Sequence, residues 1–255
     1  MFWRLGVAGF PIEHSLSPQL HEAGLALAGL SGSSERLALP AGEFASLEGL
    51  LGERFDALSV TMPLKELATS LCSHLDAAAT RTTMVNSLRW HDGLIHGANT
   101  DGEGFVDALA HTFGLAPSGL RVAVLGAGGA ARAIVDALDA HGAQCITLYA
   151  RRPESVAWLA ERYASVGDAR GAFDLVVNAT PVTGRVDQVL PGVTKETVAV
   201  DITYEPRHSP WLVAHEERGC ASANGLGMLA HQAARQMTWW WGVPVSGEAL
   251  QEVIE

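Results

Sequence analysis

Short apolar runs alternate along this chain with longer segments whose apolar residues recur at helical spacing. In the first hundred residues the runs at Trp3–Gly9, Arg36–Leu39 and Ala57–Val60 predict strands. Pro18 to about Leu30, with Ser17 as N-cap, and Glu43–Leu51 predict the helices between them. Another helix is expected after the loop at residues 61–66, and a short one over Asp76–Thr82. Val85–Trp90 and Leu94–Gly97 predict a hairpin across His91-Asp92-Gly93, an Asp-Gly turn signal. Strand and helix in alternation imply a mostly parallel sheet.

Phe105–Phe113 reads as a connecting helix, and Leu115–Gly119, with Pro117 and Gly119, as a boundary loop. The apolar run Val122–Leu125 then predicts a buried parallel strand that enters Gly126-Ala127-Gly128-Gly129-Ala130-Ala131 and continues into a helix. That is G-x-G-x-x-A between a strand and a helix. Gly126 permits the tight turn, Gly128 lets backbone approach a pyrophosphate, and Ala131 allows close helix–sheet packing. The helix N-terminus then offers free N–H groups to phosphate oxygens. Further strands are predicted at Cys145–Tyr149, Leu175–Asn178, Val198–Ile202 and Ala221–Ala223, with helices at Val156–Tyr163, Pro210–Arg218 and Met228–Trp241. Trp239-Trp240-Trp241 cannot share one helix face, so at least one indole is expected to be partly exposed or at a contact.

The chain has 255 residues, 48% of them hydrophobic, enough for one large or two modest domains. No run reaches the length of a membrane span, and the N-terminus lacks a signal-peptide layout, so the cytoplasm is expected. A formal net charge of −11 argues against nucleic acid or an anionic membrane as partner. Cys72, Cys145 and Cys220 are scattered and read as reduced thiols. His14, His21 and His231 have no spacing suited to a metal. Only Lys65 and Lys195 among the 17 basic residues are lysines, and a lysine kept in such a chain can be kept for its titratable amine. Arg151 and Arg152 stand at the end of the second strand after the glycine loop, where NAD-binding folds commonly carry an acidic residue; two guanidinium groups suit a 2′-phosphate, and NADP is expected over NAD.

The loops at strand ends form an ordered series: P-I-x-H-S-x-S-P at 11–18, V-T-x-P-x-K at 60–65, N-T-D-G-x-G at 99–104, G-A-G-G-A at 126–130, N-A-T-P at 178–181 and G-x-G-M-L-x-x-Q at 225–232. Over essentially its whole length the chain resembles the shikimate dehydrogenase family. The resemblance implies a two-domain α/β fold. Residues 1–103, joined by a C-terminal helix at 228–255, would form the substrate-binding catalytic domain with a mostly parallel sheet. Residues 104–227 would form a Rossmann-like, doubly wound NADP-binding domain.

From spacing alone Ser17 is an N-cap and Ser15 a turn residue, and the Asn99-Thr100-Asp101-Gly102 stretch is an Asx-type turn capping a helix that begins near Glu103. The resemblance implies more. Ser15 and Ser17 would hold the substrate carboxylate, and Thr61, Asn86, Tyr204 and Gln232 would complete the pocket. Lys65, at a helix start whose dipole disfavours its ammonium, would exchange a proton with the substrate C3 oxygen, paired with Asp101. Gly126, Ala127, Gly128, Gly129, Ala130, Arg151, Arg152, Thr180, Gly225 and Met228 would bind the cofactor. The partner implied is a small molecule, shikimate or 3-dehydroshikimate, with the enzyme a monomer or homodimer.

The chain departs from the family's usual pattern at Ser59 and Glu22, where Asn is usual, at Thr83-Met84-Val85, where smaller residues are usual, and at Ala150-Arg151-Arg152, where Asn-Arg-Thr is usual. A quinate-accepting relative is the alternative these leave open. A non-catalytic ligand-binding relative would be expected to have lost Lys65 or Asp101, and both are present.

Overall fold

The computed structural model describes residues 2–169, 171–181 and 189–255. They fall into two compact units, Met1–Gly104 with Leu229–Glu255, and Phe105–Met228. In the first unit, β1 (Phe2–Gly9) leads through a loop to α1 (Ser17–Leu27), then to β2 (Ser31–Ala38). β2 starts five residues before the strand read at Arg36–Leu39. Its Ser31-Gly32-Ser33-Ser34 start has little intrinsic strand preference, but it pairs residue for residue with β1. Gly32 is required there, since a Cβ would stand 2.5 Å from the Trp3 carbonyl.

The helix read at Glu43–Leu51 is broken into a 3₁₀ turn, Ala41–Glu43, and the short α2 (Ser46–Leu50). Gly49 lowers helix propensity, and Gly52, at φ +87, turns the chain away. β3 (Ala57–Val60) lies parallel to β1, and Leu58 is fully buried. No α-helix follows residues 61–66. Leu67–Leu71 forms a 3₁₀ helix instead, in which Thr69 and Ser70 hydroxyls donate back to the carbonyls of Glu66 and Leu67. β4 (His74–Leu75), too short to leave a pattern, precedes α3 (Ala77–Thr82).

The hairpin is present as β5 (Ser87–His91) and β6 (Leu94–Ala98), with Asp92 and Gly93 at φ 51 and 78, as a type I′ turn requires. The sheet order is β2-β1-β3-β5-β6-β4, with β5 antiparallel to its neighbours. Phe55, Leu58, Leu64 and Leu88 centre the core on one side.

α4 (Asp101–Phe113) starts four residues before the reading at Phe105, and the division between the units falls inside it. Leu115–Gly119 is therefore no boundary. It lies within the second unit, where Gly119 N–H donates to the Gly142 carbonyl. The second unit runs β7 (Arg121–Leu125), α5 (Gly129–Ala140), β8 (Cys145–Tyr149), α6 (Pro153–Ala160), β9 (Leu175–Asn178), β10 (Val198–Asp201), α7 (Pro210–Glu216) and β11 (Ala221–Ala223). Among the described residues all its strand pairings are parallel, in the order β11-β10-β9-β7-β8. Strand order reverses between β7 and β9, the switch point where such sheets take ligands.

α8 (Leu226–Trp241) spans the second division between units. The C-terminal segment is not one helix. Gly242 at φ +68 and Pro244 end α8, and the Ser246 hydroxyl caps α9 (Gly247–Ile254). Trp240 is fully buried, while Trp239 and Trp241 are half-buried. Among the described residues no helix is long and apolar enough to cross a membrane.

Asp76 fastens two elements of the first unit. Its Oδ1 accepts from Ala79 N–H at 2.6 Å, capping α3, and both its carboxylate oxygens lie within 3.4 Å of Asn99 N at the end of β6. Asp76→Ala is expected to cost about 1–2 kcal/mol, measured as a lower urea midpoint at unchanged m-value.

Candidate active site

The topology of the first unit brings its candidate residues to one sheet edge. β1, β2, β3 and β6 point the same way, so the loops after Gly9, Val60 and Ala98 leave from the same side. β5 runs the other way, so Asn86, immediately before it, lies on that side too. The register puts them level: Val60 N–H donates to the Asn86 carbonyl, and Asn86 N–H to the Ala98 carbonyl. Thr61 N–H bonds the Ala8 carbonyl, and Phe10 N–H the Met62 carbonyl, joining the first two loops.

Lys65 Nζ stands 2.5 Å from Asp101 Oδ2, with Asp101 4% exposed. The second carboxylate oxygen accepts from Asn86 Nδ2 at 2.8 Å. The same Asn86 nitrogen reaches Thr100 Oγ1 at 2.9 Å and Gln232 Oε1 at 3.1 Å. Asn86 Oδ1 accepts from Thr100 N–H, and Thr100 Oγ1 donates to the Gln232 carbonyl. Lys65, Asp101, Asn86 and Gln232 thus form one connected group built from two loops, the start of α4 and α8.

One local expectation changes and another holds. Lys65 is not at an α-helix start. It lies in a turn before the 3₁₀ helix, anchored by the fully buried Leu64 and by Val85 N–H donating to its own carbonyl. The Asx turn at the start of α4 is made by Asn99, whose Oδ1 accepts from Asp101 N–H, while its Nδ2 donates to the Met84 carbonyl. The Asp101 carboxylate is thereby released from capping and turned to Lys65.

Ser15 and Ser17 form a second, smaller group. Ser15 Oγ donates to Ser17 Oγ at 3.2 Å and accepts from Ser17 N–H at 3.3 Å. Ser17 is not the N-cap of α1. It is the first helical residue, followed by Pro18, and no side chain caps that end, so both hydroxyls are available beyond their mutual contact. Arg36, which the sequence did not single out, donates through Nε and Nη2 to the Ser15 carbonyl at 3.0 and 2.6 Å.

A buried polar row beneath Asn86 was also not legible as such. Ser59 Oγ donates to Gln236 Oε1 at 2.5 Å, so it accepts from His21 Nε2 at 2.9 Å. His21 Nδ1 then accepts from Ser34 Oγ at 2.7 Å. Gln236 Nε2 donates to the Asn86 carbonyl. His21 is fully buried against Trp240. Burial holds its pKa down to about 4 despite the hydrogen bonding linked to Gln236. The only sequence signal was Gln236 standing one helical turn after Gln232.

Because the folded pKa of His21 lies below that of the unfolded chain, the unfolded state binds more protons between about pH 6.5 and pH 4. Stability is therefore full above that window and is lost as pH falls through it, by on the order of 3 kcal/mol. Thermal melts of the wild type and His21→Gln from pH 7.5 to about pH 4.5 should show a steeper fall for the wild type.

In the second unit every candidate cofactor residue apart from Met228 follows a strand's C-terminal end. Gly126 has φ +112, and a Cβ there would stand 2.7 Å from the Ala179 carbonyl. Among the described residues a Cβ at Gly128 would meet nothing within 4 Å and no side chain caps α5, leaving its first-turn N–H groups for an anion. The buried Nδ2 of Asn178 has no partner among the described residues, while its Oδ1 accepts from the Thr180 hydroxyl and N–H. Arg151 and Arg152 are exposed beyond β8. A diphosphate fits this set.

Gly225 has a packing requirement of its own, since a Cβ would stand 1.9 Å from the Ile202 carbonyl, and Met228 packs in the core. Tyr204 also belongs to this unit, half-buried after β10. Among the described residues no cluster of His, Cys, Asp and Glu could hold a metal ion.

Residues 7–88 match the family model for the shikimate dehydrogenase substrate binding domain. The chain is 39% identical over 267 residues to a shikimate dehydrogenase (NADP(+)) of Acidiphilium cryptum, covering 98% of this chain and 94% of that protein. It is 37% identical to one of Xylella fastidiosa, covering 94% and 91%. The crystal structure of shikimate 5-dehydrogenase from Thermus thermophilus in complex with NADP(H) and shikimate superposes with a TM-score of 0.88 at 33% identity, covering 98% of both chains. By this likeness over nearly its full length, the chain belongs to the shikimate dehydrogenase family.

Proposed function

We propose that this chain interconverts shikimate and 3-dehydroshikimate with NADP, Lys65 and Asp101 handling the proton. The single observation that carries the reading is the 2.5 Å contact between Lys65 Nζ and an Asp101 carboxylate fixed on its other side by Asn86. A lysine nitrogen held against a buried carboxylate is positioned to exchange a proton with a substrate oxygen. As the neutral amine Lys65 takes the hydroxyl proton while the C3 oxygen becomes a carbonyl, and as the ammonium it returns that proton in reduction. Asp101 accepts a hydrogen bond from the substrate and keeps the amine in place. Asn86 and Gln232, each with a donor and an acceptor, bind ring hydroxyls together with Thr61. Ser15 and Ser17 hold the carboxylate.

The first unit is thus the substrate domain and the second the cofactor domain. The cofactor, when bound, would exchange the hydride at substrate C3, NADP+ taking it in oxidation and NADPH giving it in reduction. Gly126 to Ala130, Thr180, Gly225 and Met228 form its cradle, and Arg151 and Arg152 take the 2′-phosphate. Three free cysteines fit a reducing cytoplasm, and the active form is a monomer or homodimer.

Quinate as a second substrate has one set of observations in its favour. Ser59 and Met84 replace the family's usual residues in the layer directly behind Asn86 and Asn99. An assay of shikimate and quinate, each with NADP and NAD, decides between the readings. Shikimate with NADP is expected to be fastest, and comparable rates on quinate would favour the alternative.

Lys65→Ala should lower kcat by about 10²–10⁴-fold with little change in shikimate affinity. Near-wild-type turnover would remove Lys65 from the mechanism. The double substitution Arg151→Ala with Arg152→Ala should raise the KM for NADP about tenfold or more and barely alter that for NAD. Equal effects on the two cofactors would refute the phosphate assignment.

A further inference from the structure

The pair assigned to the substrate carboxylate, Ser15 and Ser17, is made of neutral hydroxyls, in a chain of formal net charge −11. An anion approaching it faces a repulsive overall field. The structure holds a cation against this loop. Arg36 lies near the C-terminal end of β2, level with Val7 of β1, and its Nε and Nη2 both donate to the Ser15 carbonyl. Two donors on one acceptor fix the guanidinium plane and the Ser15 peptide together, as only the planar fork of arginine can.

Its charge is not spent elsewhere. The adjacent Glu35 is paired with Arg54 at 2.9 Å, and among the described residues no carboxylate pairs with Arg36. The nearest acidic group in the loop sequence, Glu13, accepts from Ile12 N–H instead.

We propose that Arg36 is the residue that turns the Ser15–Ser17 hydroxyl pair into an anion site, holding the Ser15 peptide in place and supplying the positive charge that the substrate carboxylate meets. This rests on the reading that Ser15 and Ser17 bind that carboxylate. Arg36 is a positioning residue without contact to the substrate, acting through the Ser15 peptide it holds and through its field at the hydroxyl pair. The carboxylate keeps its charge while hydride leaves C3, so an interaction with it is the same in ground and transition states. It lowers KM and leaves kcat alone. Arg36 is exposed, so its field is screened by salt over about 10 Å at 0.1 M.

The test compares the full-length wild type, Arg36→Gln and Arg36→Lys at saturating NADP, in about 20 mM and about 500 mM NaCl. The substrates are shikimate and its uncharged methyl ester. At low salt Arg36→Gln should raise the shikimate KM about three- to tenfold, with kcat within about twofold and the NADP KM unchanged. The KM for the ester should move little. High salt should bring the wild-type KM toward that of Arg36→Gln. Arg36→Lys, which keeps the charge without the fork, should fall between the two.

A shikimate KM unchanged in Arg36→Gln overturns the proposal. So does an equal rise for acid and ester, which would reduce Arg36 to a loop brace. A wild type that turns over shikimate while Arg36→Gln is unaltered rejects Arg36 alone. A wild type that neither turns over nor binds shikimate rejects the parent reading, and this one with it.

Discussion

Much of the first unit is arranged around one costly contact, the Lys65 ammonium against a buried Asp101 carboxylate. Removing two charges from water is repaid only when geometry is close and the remaining hydrogen-bonding capacity is filled. Here Asn86 fills the free oxygen of Asp101, Asn99 takes over the helix-start turn that Asp101 could have made, and Leu64 anchors the turn that carries Lys65. None of these neighbours adds charge. They restrict where the two groups can go, which is what the proposed proton transfer at a defined substrate atom requires.

The sheet supplies the scaffold for that restriction. A wholly parallel sheet sends every strand's C-terminal end to one side. The hairpin β5–β6 inserts one antiparallel strand between β3 and β6, so Asn86 arrives from before a strand while Asp101 arrives from after one. The two meet although fifteen residues separate them. Behind them the row Ser34, His21, Ser59, Gln236 ties α1, β2, β3 and α8 to the Asn86 carbonyl. Its members are satisfied by one another, so this polar layer can be buried, at the cost of a histidine that must remain neutral.

Where apolar periodicity was strong, the reading along the chain and the fold agree closely. β3, β8, β9 and β11 occupy the residues read for them, and the Asp-Gly turn is where it was placed. The misses share a cause. β2 is polar and glycine-containing, and it is a strand only because β1 lies beside it. The helices expected around Glu43–Leu51 and after residue 66 shrink because glycines and hydroxyl side chains compete locally with the α-helical ladder. β4 exists only through two residues' pairing with β6.

The sequence by itself determined the α/β alternation, the glycine loop before α5, the paired arginines after β8 and the motif series naming the family, because each is a local pattern of residue types. It also marked Lys65 and Asp101 as residues to watch. Only the tertiary structure decided what those residues touch: that Asp101 meets Lys65 while Asn99 makes the turn, that Ser17 leaves its capping position, that Arg36 braces Ser15, and that His21 is shut in between Ser34 and Ser59. The reason is physical. Capping and turn formation depend on a few neighbouring residues. A hydrogen bond between distant side chains depends on strand register and on which strands lie side by side, and the chain sets these only when it packs as a whole.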